Sequence, residues 1–257
     1  VDQKTVAGKS LTYTHIDSWE VGSQNWTPGF REEFLKRRGY DLLPFLPVVT
    51  GRAIESQAVT ERFLWDWRRT AADMLLENYA GHMGELSRRN GLKLSIEAYG
   101  DGPLDDLPYA GRADMPVSEF WTGAEPLEIN KEMASAGHVY GRPIIGAEAF
   151  TAVPQNGKWL NHPFRLKALG DTLFTQGINR FIFHRYAMQP WLDRKPGMTM
   201  GQWGIHMERT NTWWEQSSAW LEYLARCQYL LQQGRFVADV AYLSSEKAPN
   251  ENVCLLY

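Results

Sequence analysis

The sequence predicts an α/β fold: a parallel sheet with helices outside it, read as the C-terminal part of a (β/α)8 TIM-like barrel, about strands 4 to 8. Three observations carry that prediction. Short β-branched and aromatic runs alternate with amphipathic stretches, the pattern of strand–helix units and a parallel sheet. No Gly-rich phosphate loop follows a strand, which sets nucleotide-binding sheets aside. Successive strands run into acidic or polar residues, and a (β/α)8 barrel builds its site at that rim.

The elements follow in order. Leu11 to Ile16 reads as the first strand. Phe30 to Arg38 is a charged amphipathic helix stopped by Gly39, its Lys36-Arg37-Arg38 run a solvated helix end. Leu42 to Val49 holds Pro44 and Pro47 and reads as an irregular connection. Thr60 is read as the cap of a long helix. Its apolar face is Leu64, Trp67, Ala71, Met74, Tyr79, Met83 and Leu86, and Asn90-Gly91 closes it. Leu92 to Ile96 is a second strand and Ala113 to Val117 a third. A helix from about Leu127 to Tyr140 leads to a fourth strand, Pro143 to Ala147. A helix from Pro163 to Gln176 leads to a fifth, Arg180 to Phe183. After a Pro/Gly/Met/Trp loop, a helix is expected from about Asn211 to Gln233, then a sixth strand from Val237 to Leu243.

Composition narrows the function classes. The 257 residues are 44% hydrophobic with a net charge of −3, enough for a sizeable core and too apolar for disorder. No apolar run is long enough to cross a membrane as a helix, and the charge balance lacks the basic excess of a nucleic-acid binder. Cys227 and Cys254 make neither a metal spacing nor a disulfide framework. Tryptophan is abundant, at 11 residues; flat rings with a polar edge suit a core or the face of a sugar. The chain opens on Val1 and closes on an apolar run from Asn252 to Tyr257, so it is read as cut at both ends. Residues 1–235 are read as part of a barrel and 236–257 as the start of a following domain. A barrel short of strands exposes sheet edges, so this piece alone is expected to be inactive or poorly soluble.

The strand ends carry the chemistry. The first gives Asp17 and Glu20, the second Glu97, the third Glu119, the fourth Glu148, and the fifth His184, Arg185 and Tyr186. A lone glutamate at a strand end is usually a cap or a solvated loop residue, but four in succession suggest a converging site. Several carboxylates among aromatics fit glycoside hydrolysis: one protonates the leaving oxygen, another acts as nucleophile or as base for water. If the strand ending in Phe183 is the eighth, Glu20 ends the fourth and Glu148 the seventh. Other chemistries find less support. There is no HExxH, and His15, His184 and His206 lack a zinc spacing. Ser18 and Ser118 have no GxSxG context. Trp213-Trp214 fits a sugar platform or a core.

The stretch His15 to Gly22, continuing through Gln24 to Pro28, resembles the glycoside hydrolase family 106 α-L-rhamnosidases. So do Ser95 to Pro103, Gly146 to Thr151, Asn179 to Tyr186, Pro196 to Gly201 and Arg209 to Trp214. The resemblance implies inverting hydrolysis of terminal α-L-rhamnosides, with calcium holding the sugar hydroxyls. By position it implies Glu20 as general acid, Glu148 as general base and Glu119 as a third essential glutamate near the metal. Asp17, Glu97, His184, Arg185 and Tyr186 are expected to meet sugar hydroxyls, and Trp19, Trp121 and Trp203 to stack on the 6-deoxy sugar. It also implies a glycan or glycoside as partner, no nucleic acid, and a place in the periplasm or outside a bacterium. Two alternatives stand beside it: a non-catalytic carbohydrate-binding barrel, and a retaining, β-galactosidase-like glycosidase. A metal-dependent amidohydrolase is more distant.

Overall fold

A computed structural model describes residues 3–124, 128–199, 201–244, 246 and 248. The expected helix start at Leu127, and Met200, Cys254 and the run 252–257, lie outside them. The chain forms two compact units that divide between Ala113 and Asp114, with residues 242–244 belonging to the first. The sequence reading did not mark that division.

The first unit begins with a short helix, α1 (Gln3–Val6), which the sequence did not announce. Strand β1 (Tyr13–Ile16) pairs in parallel with β2 (Lys93–Glu97), from Tyr13 opposite Lys93 to Ile16 opposite Ile96. A helical crossover joins them, as a parallel pair requires. It starts with α2 (Phe30–Arg38), which ends at Gly39 in the left-handed region as expected. Leu43–Thr50 is a 3-10 helix rather than irregular: Pro44 sits in its first turn, where no backbone donor is needed. Helix α3 (Gln57–Leu75) is capped by Ser56, whose Oγ accepts from the Val59 amide at 3.2 Å. Thr60, the expected cap, lies inside the helix, and its hydroxyl binds the Ile54 backbone. At Leu76–Gly81 the helix widens into a π turn, then continues as α4 (His82–Arg89). A short α5 (Asp106–Ala110) follows β2.

An aromatic cluster holds this crossover together. Phe30 and Phe34 of α2 pack against Phe63, Trp67 and Ala71 of α3, with Leu42 and Val48 from the connection. The Phe30 and Trp67 rings lie 5.1 Å apart and Phe34 and Phe63 5.9 Å apart, within the range of favourable aromatic pairs. Beside them Arg38 donates to Asp73 at 2.6 Å, and Arg69 donates to Asp73 at 2.9 Å and Asp105 at 2.7 Å.

The second unit contains β3 (Met115–Trp121), α6 (Ile129–Val139), β4 (Gly146–Thr151), α7 (Pro163–Thr175), β5 (Arg180–Phe183) and α8 (Ser218–Leu231). Its strands pair in parallel, β3 with β4 and β4 with β5. β5 lies where the sequence placed it. β3 and β4 run further than expected, so Glu119 and Glu148 stand inside strands rather than beyond their ends. The residues read as the start of the fourth strand precede it: the Ile145 backbone is taken by Asn179, whose Oδ1 accepts its N–H at 2.8 Å. The helix expected from Asn211 begins only at Ser218, after a 3-10 turn at Trp214–Gln216. Upstream of it the Asn211 and Trp213 side chains donate to the carbonyls of His206 and Asn161, which ties that stretch down in another conformation. Phe120, Phe150, Phe181 and Trp220 fill the core, with Phe120 and Phe150 edge to face at 4.8 Å.

The sixth strand is a correction. Residues 237–243 form no strand among the described residues, and Val237, Val240, Tyr242 and Leu243 are exposed. β-propensity expresses fit to a paired, half-buried surface, and no neighbour pairs with this run. No helix of the described residues is long and apolar enough to cross a membrane. Each unit carries the parallel strand–helix architecture that the sequence predicts for part of a (β/α)8 barrel.

Candidate active site

Period-two alternation builds a group of polar side chains in the first unit. Ile16, Leu94 and Ile96 turn one way and are buried; His15 and Ser95, opposite each other in the register, turn the other way. Two residues further on, the same face presents Asp17 and Glu97. His15 Nδ1 lies 2.9 Å from Ser95 Oγ, and His15 Nε2 lies 3.7 Å from Glu97 Oε1. Tyr99 donates its hydroxyl to Glu97 Oε2 at 2.7 Å. Glu97 is only 4% exposed. Burial pushes its pKa above the ordinary glutamate value; the bonds from His15 and Tyr99 work against that rise, and nearby Asp17 adds to it. Among the described residues His15, Asp17 and Glu97 are the one group of three metal-capable side chains, each with a donor atom within 4.8 Å of the others.

Glu20 lies past the end of β1, exposed, and accepts from the Ser18 hydroxyl at 2.9 Å. Between them Trp19 is clamped. Its amide donates to Tyr99 O, its carbonyl accepts from Asp101, and its indole donates to Gly22 O at 2.7 Å. A Cβ on Gly102 would come within 2.7 Å of the Trp19 ring, so only glycine fits there. The Tyr79 ring meets Trp19 edge-on at 6.3 Å.

In the second unit β3 and β4 set Glu119 directly opposite Glu148. Opposed residues of paired strands share a face, so the two carboxylates are neighbours across the ladder. The register shifts between Glu119 and Trp121 and then brings Trp121 opposite Thr151. Thr151 Oγ1 bonds His184 Nδ1 at 2.7 Å, and the same nitrogen lies 3.8 Å from Glu148 Oε1. Phe150, two residues past Glu148, adopts φ 60, an uncommon conformation for a bulky side chain and one that its full burial holds in place. Trp121 and Trp203 meet edge to face at 6.0 Å.

Arg185 is a buried cation, 4% exposed. Its Nε donates to Trp203 O at 3.4 Å, while Nη1 and Nη2 have no hydrogen-bond partner. Burial lowers its pKa and Glu208 offsets part of that. His206, beside it and 2% exposed, is pushed below the ordinary histidine value first by burial and then by Arg185, with Glu208 opposing and Lys158 adding to the effect. This sets a pH dependence. The folded-state pKa of His206 lies below the ordinary histidine value of 6.5, so the unfolded chain binds more protons as pH falls below 6.5. Stability is therefore expected to be complete above that pH and to decline below it. His138, also lowered by burial, acts in the same sense. Thermal melts between pH 7.5 and 5.5 check this: the midpoint should fall, and His206→Gln should flatten the fall.

The structure thus joins Asp17 with Glu97, and Glu119 with Glu148 and His184. It bonds Arg185 to the Trp203 carbonyl and sets the Trp203 ring against Trp121. Tyr186 is exposed and belongs to neither group. Ser95, Tyr99 and Thr151 stand beside these groups though the sequence reading does not single them out, and it weighs His15 only as a zinc ligand; the readable signal was the i, i+2 spacing of His15 with Asp17 and of Ser95 with Glu97 and Tyr99.

Comparison with known proteins decides the family. The family model for alpha-L-rhamnosidase, glycoside hydrolase family 106, matches residues 2–255. The chain belongs to this family. The solved structure of a rhamnosidase from Novosphingobium sp. PP1Y is similar over 96% of this glycoside hydrolase chain, with a TM-score of 0.86 and 35% identity. A curated protein of Formosa agariphila is 44% identical over 246 residues, 95% of the chain, and bears the name "Putative beta-glucuronidase". The family 106 chain spans 21% of that relative's length and 24% of the solved rhamnosidase's.

Proposed function

We propose that this chain carries the catalytic glutamates of an enzyme that removes terminal α-L-rhamnosyl residues from plant or microbial glycans, with inversion. The observation that supports it most is the register of β3 on β4, which pairs Glu119 with Glu148 next to His184 in a family of glycosidases. Glu148 acts as general base: it takes a proton from the water that attacks the anomeric carbon. His184, bonded to Thr151, orients that carboxylate. Glu20, positioned by Ser18, acts as general acid and protonates the departing glycosidic oxygen. Trp121 and Trp203 offer apolar surface to the sugar's methyl group. The unpartnered nitrogens of Arg185 and the carboxylates of Asp17 and Glu97 meet hydroxyls.

Calcium is part of the proposal. Hard cations take oxygen donors, and Asp17 and Glu97 supply two carboxylates close enough to share one ion. In this reading Asp17 and Glu97 join Glu119, the residue expected near the metal, as candidate oxygen donors. When bound, the ion would neutralise the two carboxylates and hold sugar hydroxyls. His15 keeps Glu97 in place and is not itself a ligand that calcium favours. The setting proposed is the bacterial periplasm or exterior, where glycans are broken down.

A second reading rests on Arg185: its two unpaired nitrogens would satisfy a uronate carboxylate, as a glucuronide substrate would require. Proton NMR of the full-length protein with calcium separates the readings. Early β-L-rhamnose from an aryl α-L-rhamnoside is the expected result. Initial α-L-rhamnose would keep the substrate and replace the mechanism with a covalent, retaining one. Release from an aryl β-glucuronide alone would favour the second reading, and no release from either would favour a carbohydrate-binding barrel.

A further inference from the structure

Beyond β5 the chain runs from His184 into a loop that folds over Trp159, and between them lies an open pocket of about 700 Å3. That volume is within the range of small-molecule sites. Two tryptophans and three cations line it: Trp159, Trp191, Arg194, Lys195 and Arg209. No carboxylate lines it, and none pairs with Arg194, Lys195 or Arg209 among the described residues. Asp193, the one acid between 185 and 199, makes no ion pair there either. Such a wall repels cations and favours anions over neutral ligands of the same shape. Flat indoles beside unpaired cations match a ring with an apolar face and an anionic substituent.

The pocket is also built. Gln189, 8% exposed, staples the loop across its base: its Nε2 donates to Met198 O at 2.7 Å and its Oε1 accepts from Met198 N at 2.9 Å. A Cβ at Gly197, where φ is 97, would fall 2.1 Å from Gln189 Oε1, so the staple demands glycine. Arg209 ties the other wall by donating to Gln189 O at 2.6 Å, and the Trp159 indole donates to Thr210 Oγ1 at 2.9 Å. Trp191 remains 55% exposed and open to a ligand.

We infer that this pocket is a carbohydrate subsite that selects a negatively charged sugar residue, a uronate or a sulfate ester, in a part of the glycan other than the rhamnose that is released. The inference rests on the glycosidase reading for its place in the substrate. The loop leaves the strand end that carries His184, so a polymer held at the glutamates has its remainder available to the loop. Arg194 and Lys195 are exposed, so the selection is electrostatic and weakens with salt.

Isothermal titration of the full-length protein tests it with three probes: tetragalacturonate, a sulfated disaccharide and neutral maltotetraose. At low salt at least one anionic probe is expected to bind about tenfold or more tightly than the neutral one, about 1.4 kcal/mol. The double variant Arg194→Gln/Lys195→Gln should lose that preference, and Trp191→Ala should weaken all binding there. Hydrolysis of an aryl α-L-rhamnoside, which is too short to reach the pocket, should be unchanged in these variants and also reports that they are folded. Whichever anion binds identifies the source of the charge. Equal binding of neutral and anionic probes, or an anion preference that survives in the double variant, overturns the inference. Loss of rhamnoside hydrolysis in the unmodified protein, with pocket-dependent anion binding retained, overturns the proposed reaction and leaves the pocket standing.

Discussion

Glu148→Gln is expected to lower kcat on an aryl α-L-rhamnoside by about a hundred- to ten-thousand-fold while KM changes little, the usual loss when a general base is removed. Glutamine keeps the shape of the side chain and its place opposite Glu119, but it cannot take a proton from water. His184 stays bonded to Thr151, so the surroundings of the substituted residue are preserved. Steady-state kinetics of the full-length protein, with calcium present, measure the effect. A variant that keeps more than about a tenth of the original kcat would remove Glu148 from the base role. Rhamnose binding is expected to persist, because the substitution removes chemistry rather than a wall of the site.

The second large effect concerns stability. Phe34→Ala should destabilise the first unit by about 3–5 kcal/mol, the cost of emptying a fully buried aromatic position. Phe34 has no exposed surface and touches Tyr40 and Phe63 at ring distances of 5.1 and 5.9 Å. Its removal opens a cavity at the join between α2 and α3. Denaturant unfolding followed by tryptophan fluorescence reads the change, since Trp67 belongs to the same cluster. A midpoint equal to that of the unmodified protein would mean that the cluster does not carry the crossover.

Much of the fold was legible in the sequence because it depends on local signals. Gly39 ends α2, and the run Arg180 to Phe183 is a strand with both edges where composition places them. Boundaries failed where a polar residue was taken for a stop. Glu119 and Glu148 read as strand ends, but the ladder runs through them because their face is the one lined with chemistry and the opposite face is core. Residues 237–243 failed in the reverse sense: they have the composition of a strand and no strand partner among the described residues. In the site, the acidic set was visible as residue types at strand ends. The network around Glu97 was legible only in part: Tyr99 stands two residues away in the same segment, but whether His15 reaches that carboxylate depends on the register between strands far apart in sequence. Arg185 was visible as a candidate donor, but its unpaired nitrogens follow from burial alone.

The π turn at Leu76–Gly81 leaves a mark that can be counted. The apolar positions read from the sequence step by three or four residues, from Leu64 to Trp67 to Ala71 to Met74, then by five to Tyr79, then by four and three to Met83 and Leu86, and of these Tyr79 and Leu86 are exposed in the structure. One surplus residue turns a helix by about 100°. The wide turn absorbs that rotation, so Tyr79 reaches Trp19 while Ala71 faces the aromatic cluster. The long helix is in effect two rulers with a joint between them. Without the joint, one register would have to serve both ends, and either the cluster or the contact with Trp19 would be lost.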